Sequence, residues 1–184
     1  MYKNILLAID LDDETSCRKP LLSAVELART FGARLHVLTV VREVEAILGA
    51  SAVPLGYEVI TSDLENRIAA LIRRVNASDL KPNIIVTHGA SIYAEILAVA
   101  EEAEADLVVV GSHRPAMKDY LLGTNAARVV RHARCSVLVA QGAWTDARRI
   151  SEERQHHNLC RFRDTVIDFV FLRKVQSQNG VEPV

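Results

Sequence analysis

The chain has few cysteines and almost no net charge. Its three cysteines, Cys17, Cys135 and Cys160, lie far apart and form no CxxC pair, so they predict neither a disulfide framework nor a cysteine metal site. We interpret them as reduced thiols, with a structural role for Cys135. The formal net charge is −1, which gives no overall field to attract nucleic acid or an anionic membrane. We therefore expect neither as a partner.

The sequence also lacks a long apolar run and a processing signal. No run reaches the roughly 20 apolar residues that span a bilayer. The N-terminus enters an apolar segment directly, without the basic stretch and the small-residue cleavage site of a signal peptide. We expect a cytoplasmic protein. A chain of 184 residues with 49% hydrophobic content is long enough to bury the core of one globular domain.

What the sequence does contain is an alternation of short apolar runs with amphipathic segments. The apolar runs predict five strands, at residues 5–9, 35–41, 84–86, 107–110 and 136–140. Apolar spacings of three and four predict helices over residues 19–30, 59–76, 90–105 and 123–132. The stretch 42–57, which contains Gly49, Pro54 and Gly56 among small residues, is predicted to be a loop. This order predicts an α/β fold: a single-domain, open, parallel five-stranded sheet with helices on both faces, Rossmann-like in topology.

Sheets of this kind bind ligands beyond the carboxyl ends of their strands, where the strand order reverses. Asp10 follows the first predicted strand, Val40 lies near the end of the second, and Gly111 ends the fourth. The carboxylate of Asp10 can accept hydrogen bonds from a ribose or an amino group, or it can cap the following turn. Val40 could lie at the ligand site, or it could be an ordinary valine of the core.

Residues 106–126 carry the clearest signal for a binding site. An apolar strand ends at Gly111, a polar loop follows, and a helix is predicted to begin at Gly123-Thr124. The first amides of a helix have no acceptor within it, so they and the Thr124 hydroxyl can bind an anion such as phosphate. The alternative is an ordinary strand-to-helix connection whose Ser, Thr and Asn side chains only cap and turn the chain.

Three motifs in this region resemble the universal stress protein family. They are Ser112-His113-Arg114-Pro115, Tyr120-Leu121-Leu122-Gly123-Thr124-Asn125-Ala126-Ala127 and Val129-Val130-Arg131-His132-Ala133. Together they resemble the small bacterial ATP-binding subgroup with a Ser-His-Arg-Pro loop. The chain departs from the usual glycine pattern in two ways, because Arg114 stands at the middle glycine and the spacer is one residue shorter.

The resemblance implies the universal stress protein fold, also described as adenine nucleotide alpha hydrolase-like, and ATP as ligand, with or without Mg²⁺. In the family, the aspartate at Asp10 contacts the nucleotide, Ala8 lets adenine approach, Val40 offers backbone to the base, and the glycine loop holds the phosphates. Arg114 could add a guanidinium for phosphate oxygens, or it could be a surface arginine. The implied site residues are Ala8, Ile9, Asp10, Val40, Val110, Gly111, Ser112, Arg114, Gly123, Thr124 and Asn125.

Several catalytic signatures are missing. The chain has no His-Ile-Gly-His or Lys-Met-Ser-Lys-Ser motif, no Ser-Gly-Gly-x-Asp-Ser motif, and no GxxxxGK[ST] phosphate loop. Without a dedicated base or a clear carboxylate pair for magnesium, fast phosphoryl transfer is not supported. We predict a protein that binds ATP and acts in the stress response through occupancy and partner contacts, with no catalytic residues. Two alternatives stay open: a nucleotide-free dimerising adaptor, and a slow ATPase or self-phosphorylating protein.

The chain divides into residues 1–141, the predicted universal stress protein domain, and residues 142–184, an extension of unknown role. The apolar patch at 166–172 predicts either a helix that packs Ile167, Val170 and Phe171 against the core or a second subunit, or a loosely ordered tail. His156, His157 and Cys160 lack a second pair with zinc-type spacing, so we predict no metal site. The resemblance implies a homodimer through the last strand, residues 136–140.

Overall fold

The computed structural model describes residues 1–12, 14–42, 53–112, 123–141 and 169–172. Its sheet has six strands in the order β3-β2-β1-β4-β5-β6. The first five are parallel, and β6 pairs antiparallel with β5. The predicted five-stranded parallel sheet is therefore confirmed, and β6 extends it. The strands are β1 Asn4–Ile9, β2 Arg34–Val41, β3 Asn83–His88, β4 Leu107–Ser112, β5 Ser136–Gln141 and β6 Phe169–Leu172.

Four helices and a short 3-10 helix connect these strands. Within the described ranges they are α1 Glu14–Phe31, α2 Val53–Arg74, α3 Ile92–Glu102 and α4 Thr124–His132, with the 3-10 helix at Ser78–Leu80. Gly32 adopts a φ of +62° directly after α1, a conformation that favours glycine. The predicted helix over residues 19–30 is therefore part of α1, which ends directly before this glycine. None of the helices in the described residues is long and apolar enough to cross a membrane.

The core lies on both faces of the sheet because successive strand residues point to opposite sides. Ile5, Leu7 and Ile9 of β1 pack with buried residues of α1 and α2 on one face. Leu6 packs on the other face with buried residues of α3 and α4. Burying each large aliphatic side chain stabilises the fold by about 1.5–3 kcal/mol. The sheet is thus fixed between two helical layers.

Two helices begin earlier than the sequence predicted. Helix α1 starts at Glu14 and includes Pro20, whereas the sequence predicted a helix that begins at residue 19. Helix α2 starts at Val53, inside the predicted loop 42–57, and Pro54 is its second residue. A proline is well tolerated there because the first amides of a helix have no acceptor. Residues 43–52 lie outside the described residues.

For residues 169–172, the prediction of a helix or a loose tail is wrong, because Phe169–Leu172 form a strand. Val170 and Phe171 lie opposite Val139 and Leu138 of β5. An aromatic and β-branched segment suits a strand, and β5 offers an edge of unpaired amides and carbonyls. Ile167 lies outside the described residues.

Candidate functional site

A cavity of about 720 Å³ lies at the carboxyl ends of β1, β2 and β4, within the size range of small-molecule sites. The chain runs from β1 outward to β2 and β3 and then returns to β4 on the other side of β1. The cavity therefore lies where the strand order reverses. It is lined by Ala8, Ile9, Asp10, Leu11, Asp12, Cys17, Pro20, Leu38, Thr39, Val40, Val41, Arg42, Ile60, Leu64, Ile92, Ile96, Val110, Gly111, Gly123, Thr124, Asn125 and Ala126.

The structure brings most of the predicted site residues to this cavity. Ala8, Ile9 and Asp10 come from the end of β1 and its exit, Val40 from β2, and Val110 and Gly111 from β4. Gly123, Thr124 and Asn125 come from the start of α4. Of the two remaining predicted residues, Ser112 is the last residue of β4, and Arg114 lies outside the described residues.

Sequence reasoning missed most of the cavity wall. Helix α2 contributes Ile60 and Leu64, and α3 contributes Ile92 and Ile96. Their apolar spacing was interpreted as a core pattern, and Ile96 is indeed buried. The same periodicity produces a core face and a cavity wall, so the sequence does not separate them. A polar residue inside an apolar strand, Thr39, was the available signal.

The loop after β1 shapes one side of the site. The backbone amide of Asp12 donates a 3.0 Å hydrogen bond to Oδ1 of Asp10, so the carboxylate does cap the turn that follows β1. Asp10 is exposed and lines the cavity. The same carboxylate can therefore cap the turn and accept a further hydrogen bond.

Three side chains hold the carbonyls of this loop. Thr39 Oγ1 donates to the Ile9 carbonyl over 3.3 Å, and the Cys17 thiol donates to the Asp10 carbonyl. Arg67 Nη2 donates to the Leu11 carbonyl over 2.6 Å. The donors come from β2, α1 and α2 respectively. Three successive carbonyls are thus bound by side chains from three different elements.

The opposite side of the site is the N-terminus of α4. Gly123 is the N-cap residue, with φ −62° and ψ 156°, and no side chain of the described residues caps the helix there. The Gly123 carbonyl accepts the first bond of the helix, from the amide of Ala127 over 2.9 Å. The amides of the first turn point out of the helix with the positive end of its dipole. This geometry suits an anion.

Helix α4 is held in place by its neighbours. Val129 is fully buried, and the Arg128 guanidinium lies 4.9 Å from the centre of the Tyr93 ring on α3, a cation–π contact. Because α3 also contributes Ile92 and Ile96 to the cavity, these contacts connect α4 to the helix that forms part of the apolar wall.

Hydrogen bonds connect the end of β3 to β2 and to α3. The amide of Gly89 donates to the Val41 carbonyl over 3.1 Å, and Thr87 Oγ1 donates to Glu95 Oε2 over 3.2 Å. A Cβ atom added at Gly89 would collide with the side chain of Glu95 unless that side chain moved. Glycine at this position therefore leaves room for the Glu95 side chain. Burial lowers the pKa of the neighbouring His88.

Within the described residues, no three His, Cys, Asp or Glu side chains converge to hold a metal ion. His156, His157 and Cys160, which were weighed as metal ligands, lie outside those residues. Among the residues that the structure describes, the ionisable groups that line the cavity are Asp10, Asp12, Cys17 and Arg42. The site thus combines two carboxylates, a buried thiol, one guanidinium and a helix N-terminus with apolar walls.

Comparison with known proteins gives the family. The sequence profile of the universal stress protein family matches residues 1–141. Universal stress protein G of Escherichia coli O157:H7 is 32% identical over 143 residues, which cover 77% of this chain and 100% of that protein. This chain belongs to the universal stress protein family.

Solved structures agree with the fold of this universal stress protein. The universal stress protein from Archaeoglobus fulgidus in complex with dAMP is 19% identical, with a TM-score of 0.52 and coverage of 76% of this chain and 98% of that one. A universal stress protein in complex with cAMP is 22% identical, with a TM-score of 0.50 and coverage of 77% and 98%. At these identities the similarity shows the fold alone.

Proposed function

We propose that this universal stress protein binds an adenine nucleotide, with ATP as the expected ligand. It acts in the stress response through nucleotide occupancy and contacts with partners. The observation that carries the proposal is that the Asp10 carboxylate and the start of α4 line one cavity. A carboxylate accepts hydrogen bonds from hydroxyl groups, and helix amides donate to phosphates. The dAMP and cAMP complexes of related proteins support this ligand class.

Each part of the nucleotide has a proposed place. The ribose hydroxyls or the adenine amino group donate to Asp10. The base lies between apolar side chains of the sheet and the helices, and the phosphates meet the amides at Gly123, Thr124 and Asn125. The sheet residues proposed for the base side are Ala8, Ile9, Val40 and Val110. Gly111, Ser112 and Arg114 are proposed to complete the phosphate side.

The proposal includes ATP bound with or without Mg²⁺ and assigns no catalytic residue. Asp10 and Asp12 are the carboxylates that line the cavity, and one oxygen of Asp10 is already used by the Asp12 amide. We therefore propose that the presence of bound nucleotide, and not its turnover, is the signal. Slow ATP hydrolysis or self-phosphorylation is the alternative that product formation over several hours would reveal.

The test is to identify by mass spectrometry any nucleotide that co-purifies with the full chain, and then to titrate the nucleotide-free protein with ATP by calorimetry. Parallel titrations with GTP and with triphosphate alone separate recognition of adenine from general anion binding. Binding of ATP but not of the other two supports the proposal. No binding of any adenine nucleotide would instead favour the nucleotide-free adaptor.

Assembly and location complete the proposal. We propose a cytoplasmic homodimer that forms through the β5 edge, with residues 1–141 as the universal stress protein domain and 142–184 as its extension. Strand β6 pairs with Val137–Ala140 of β5, so a second copy reaches this edge only if β6 is displaced. Light scattering on the full chain and on a chain that ends after Gly142 tests this. A monomer in both cases contradicts the dimer.

A further inference from the structure

The Asp10 carboxylate is held in its direction by atoms outside the loop that carries it. Two peptide planes flank the Asp10 Cα atom, and together they set the direction of its Cα–Cβ bond. The carbonyl of the first plane, that of Ile9, accepts from Thr39 Oγ1 over 3.3 Å. The carbonyl of the second plane, that of Asp10 itself, accepts from the Cys17 thiol. Both planes beside Asp10 are therefore fixed by side chains.

The peptide plane between Leu11 and Asp12 is also held by a side chain, and its amide donates to the Asp10 carboxylate. Arg67 donates to the Leu11 carbonyl over 2.6 Å, and the nitrogen of that plane is the amide of Asp12. This amide donates to Asp10 Oδ1 over 3.0 Å. Arg67 therefore orients the donor that holds one carboxylate oxygen, and a guanidinium donor makes the stronger, charge-assisted kind of bond.

We propose that Thr39, Cys17 and Arg67 are positioning residues of the ligand site, which hold the Asp10 carboxylate in a binding direction before a ligand arrives. The inference rests on the proposed nucleotide function. Holding the loop in advance removes an ordering cost from binding. Thr39 and Cys17 are 4% and 3% exposed, so their bonds are shielded from water.

Arg67 also joins two walls of the cavity. Ile60, Leu64 and Arg67 follow a spacing of four and three along α2, which places them on one face of the helix. Ile60 and Leu64 line the cavity, while Arg67 binds the loop of Asp10. The bond from Arg67 therefore fixes the distance between the apolar α2 wall and the polar loop.

A double-mutant cycle tests positioning against a merely structural role. ATP affinity is measured by calorimetry for the full chain and for Thr39→Val, Asp10→Ala and the double variant. Thr39→Val keeps the shape and removes the donor, and we expect it to weaken ATP binding by about 3- to 10-fold. In the Asp10→Ala background the same change should weaken binding by less than about twofold, because the group that it positions is gone. Arg67→Met should give the same pattern.

Two further variants separate the effect from general destabilisation. Thr39→Ser keeps the donor hydroxyl and should restore most of the affinity. Ser23→Ala removes another buried hydroxyl, whose Oγ donates to the Lys19 carbonyl within α1 over 2.9 Å, and Ser23 does not line the cavity. It should lower the urea midpoint without changing ATP affinity.

Three results would overturn the inference. Equal losses from Thr39→Val in both backgrounds would show that Thr39 does not act through Asp10. A loss in Ser23→Ala as large as in Thr39→Val would assign the effect to stability. If the unmodified chain does not bind ATP, both the proposed function and this inference are contradicted. If it binds ATP and the affinity losses of Thr39→Val and Asp10→Ala add up in the double variant, only this inference is contradicted.

Discussion

Ala8 of β1 lies in register with Val110 of β4, and this is the last pair in the register of the two strands. After it, β1 continues to Asp10 on one side, and β4 continues to Gly111 and Ser112 alongside β5. Strands β1 and β4 separate at the point where the strand order reverses, and the cavity lies at this point. A ligand between them would touch the exits of both strands, as expected for an open parallel sheet.

The first prediction concerns the start of α4. Gly123→Val should weaken ATP binding by at least about fivefold, because a branched side chain stands beside the amides that would meet the phosphates and one hydrogen bond is worth about that factor. The φ of −62° and ψ of 156° at Gly123 are allowed for valine, so the fold should be retained. Calorimetric titration with ATP measures the effect.

Gly123→Ala is the matched control, because it adds one methyl group at the same backbone angles. Its loss should be smaller than that of Gly123→Val. Equal ATP affinities for the valine variant and the unmodified chain would remove the α4 terminus from the site.

The second prediction concerns the carboxylate at the end of β1. Asp10→Ala should reduce ATP affinity by about 1–3 kcal/mol, the value of a hydrogen bond to a charged group. The stability should change little, because Asp10 is exposed and its hydrogen bond caps a local turn. Calorimetry and urea unfolding of the same samples measure the two effects.

Asp106 provides the contrast at the opposite end of the sheet. Its carboxylate accepts from the amides of Lys3 and Asn4 over 2.7 and 3.2 Å, and so ties the start of β1 to the start of β4. Asp106→Ala should lower the urea midpoint and leave ATP affinity unchanged. If Asp10→Ala instead behaves like Asp106→Ala, Asp10 is a turn residue only.

The third prediction concerns the sixth strand. Val170 and Phe171 lie opposite Val139 and Leu138 in the antiparallel β5–β6 pair. Successive amides of a strand point to opposite edges, so one of these two amides faces β5. Replacing both residues by proline should therefore break the pairing, because proline has no amide to donate. Amide hydrogen exchange in residues 136–141 of the full chain should become faster. The dimer fraction in light scattering should rise if the freed β5 edge binds a second copy.

The matched control replaces Val170 and Phe171 by threonine, which keeps both amides and the preference for strands. It should leave exchange in β5 as it was. Exchange at the β5 edge that is equally fast in the unmodified chain and the proline variant would show that β6 does not protect it in solution.

The fourth prediction concerns pH. Burial, with a smaller contribution from Arg34, lowers the pKa of His36 below 6.5, while Asn83 Nδ2 lies 3.3 Å from His36 Nδ1. In the unfolded chain the imidazole therefore takes up its proton at a higher pH than in the folded chain. The stability contribution is complete above about pH 6.5 and decreases as the pH falls from 6.5 towards the lower folded pKa. Urea unfolding between pH 7 and pH 5 should show this loss.

His36→Gln should reduce that slope, because glutamine does not titrate. An imidazole titration by NMR gives the folded pKa directly. A value for His36 at or above 6.5 would contradict this prediction.

The sequence predicted the elements whose signal is local. The apolar run at 107–110 became β4, and the segment after Gly123 became α4. Asp10 and Gly123 were both predicted for the site, although they are far apart in the chain, because the parallel topology brings strand exits to one edge. The predicted start of α2 was wrong because Pro54 and the glycines near it were interpreted as signs of a loop. Proline in the first turn of a helix is well tolerated.

Within residues 1–141, the sequence alone determined where most strands and helices lie and which of their faces are apolar, since periodicities of 2 and 3.6 are properties of short segments. The tertiary structure decided which surfaces those apolar faces contact. Ile60 lines the cavity. Phe169–Leu172 form a strand because they pair with the edge of β5. The bonds from Thr39 and Arg67 to the loop of Asp10 span 30 and 56 residues. Such partners depend on how the whole chain packs, so no local pattern predicts them.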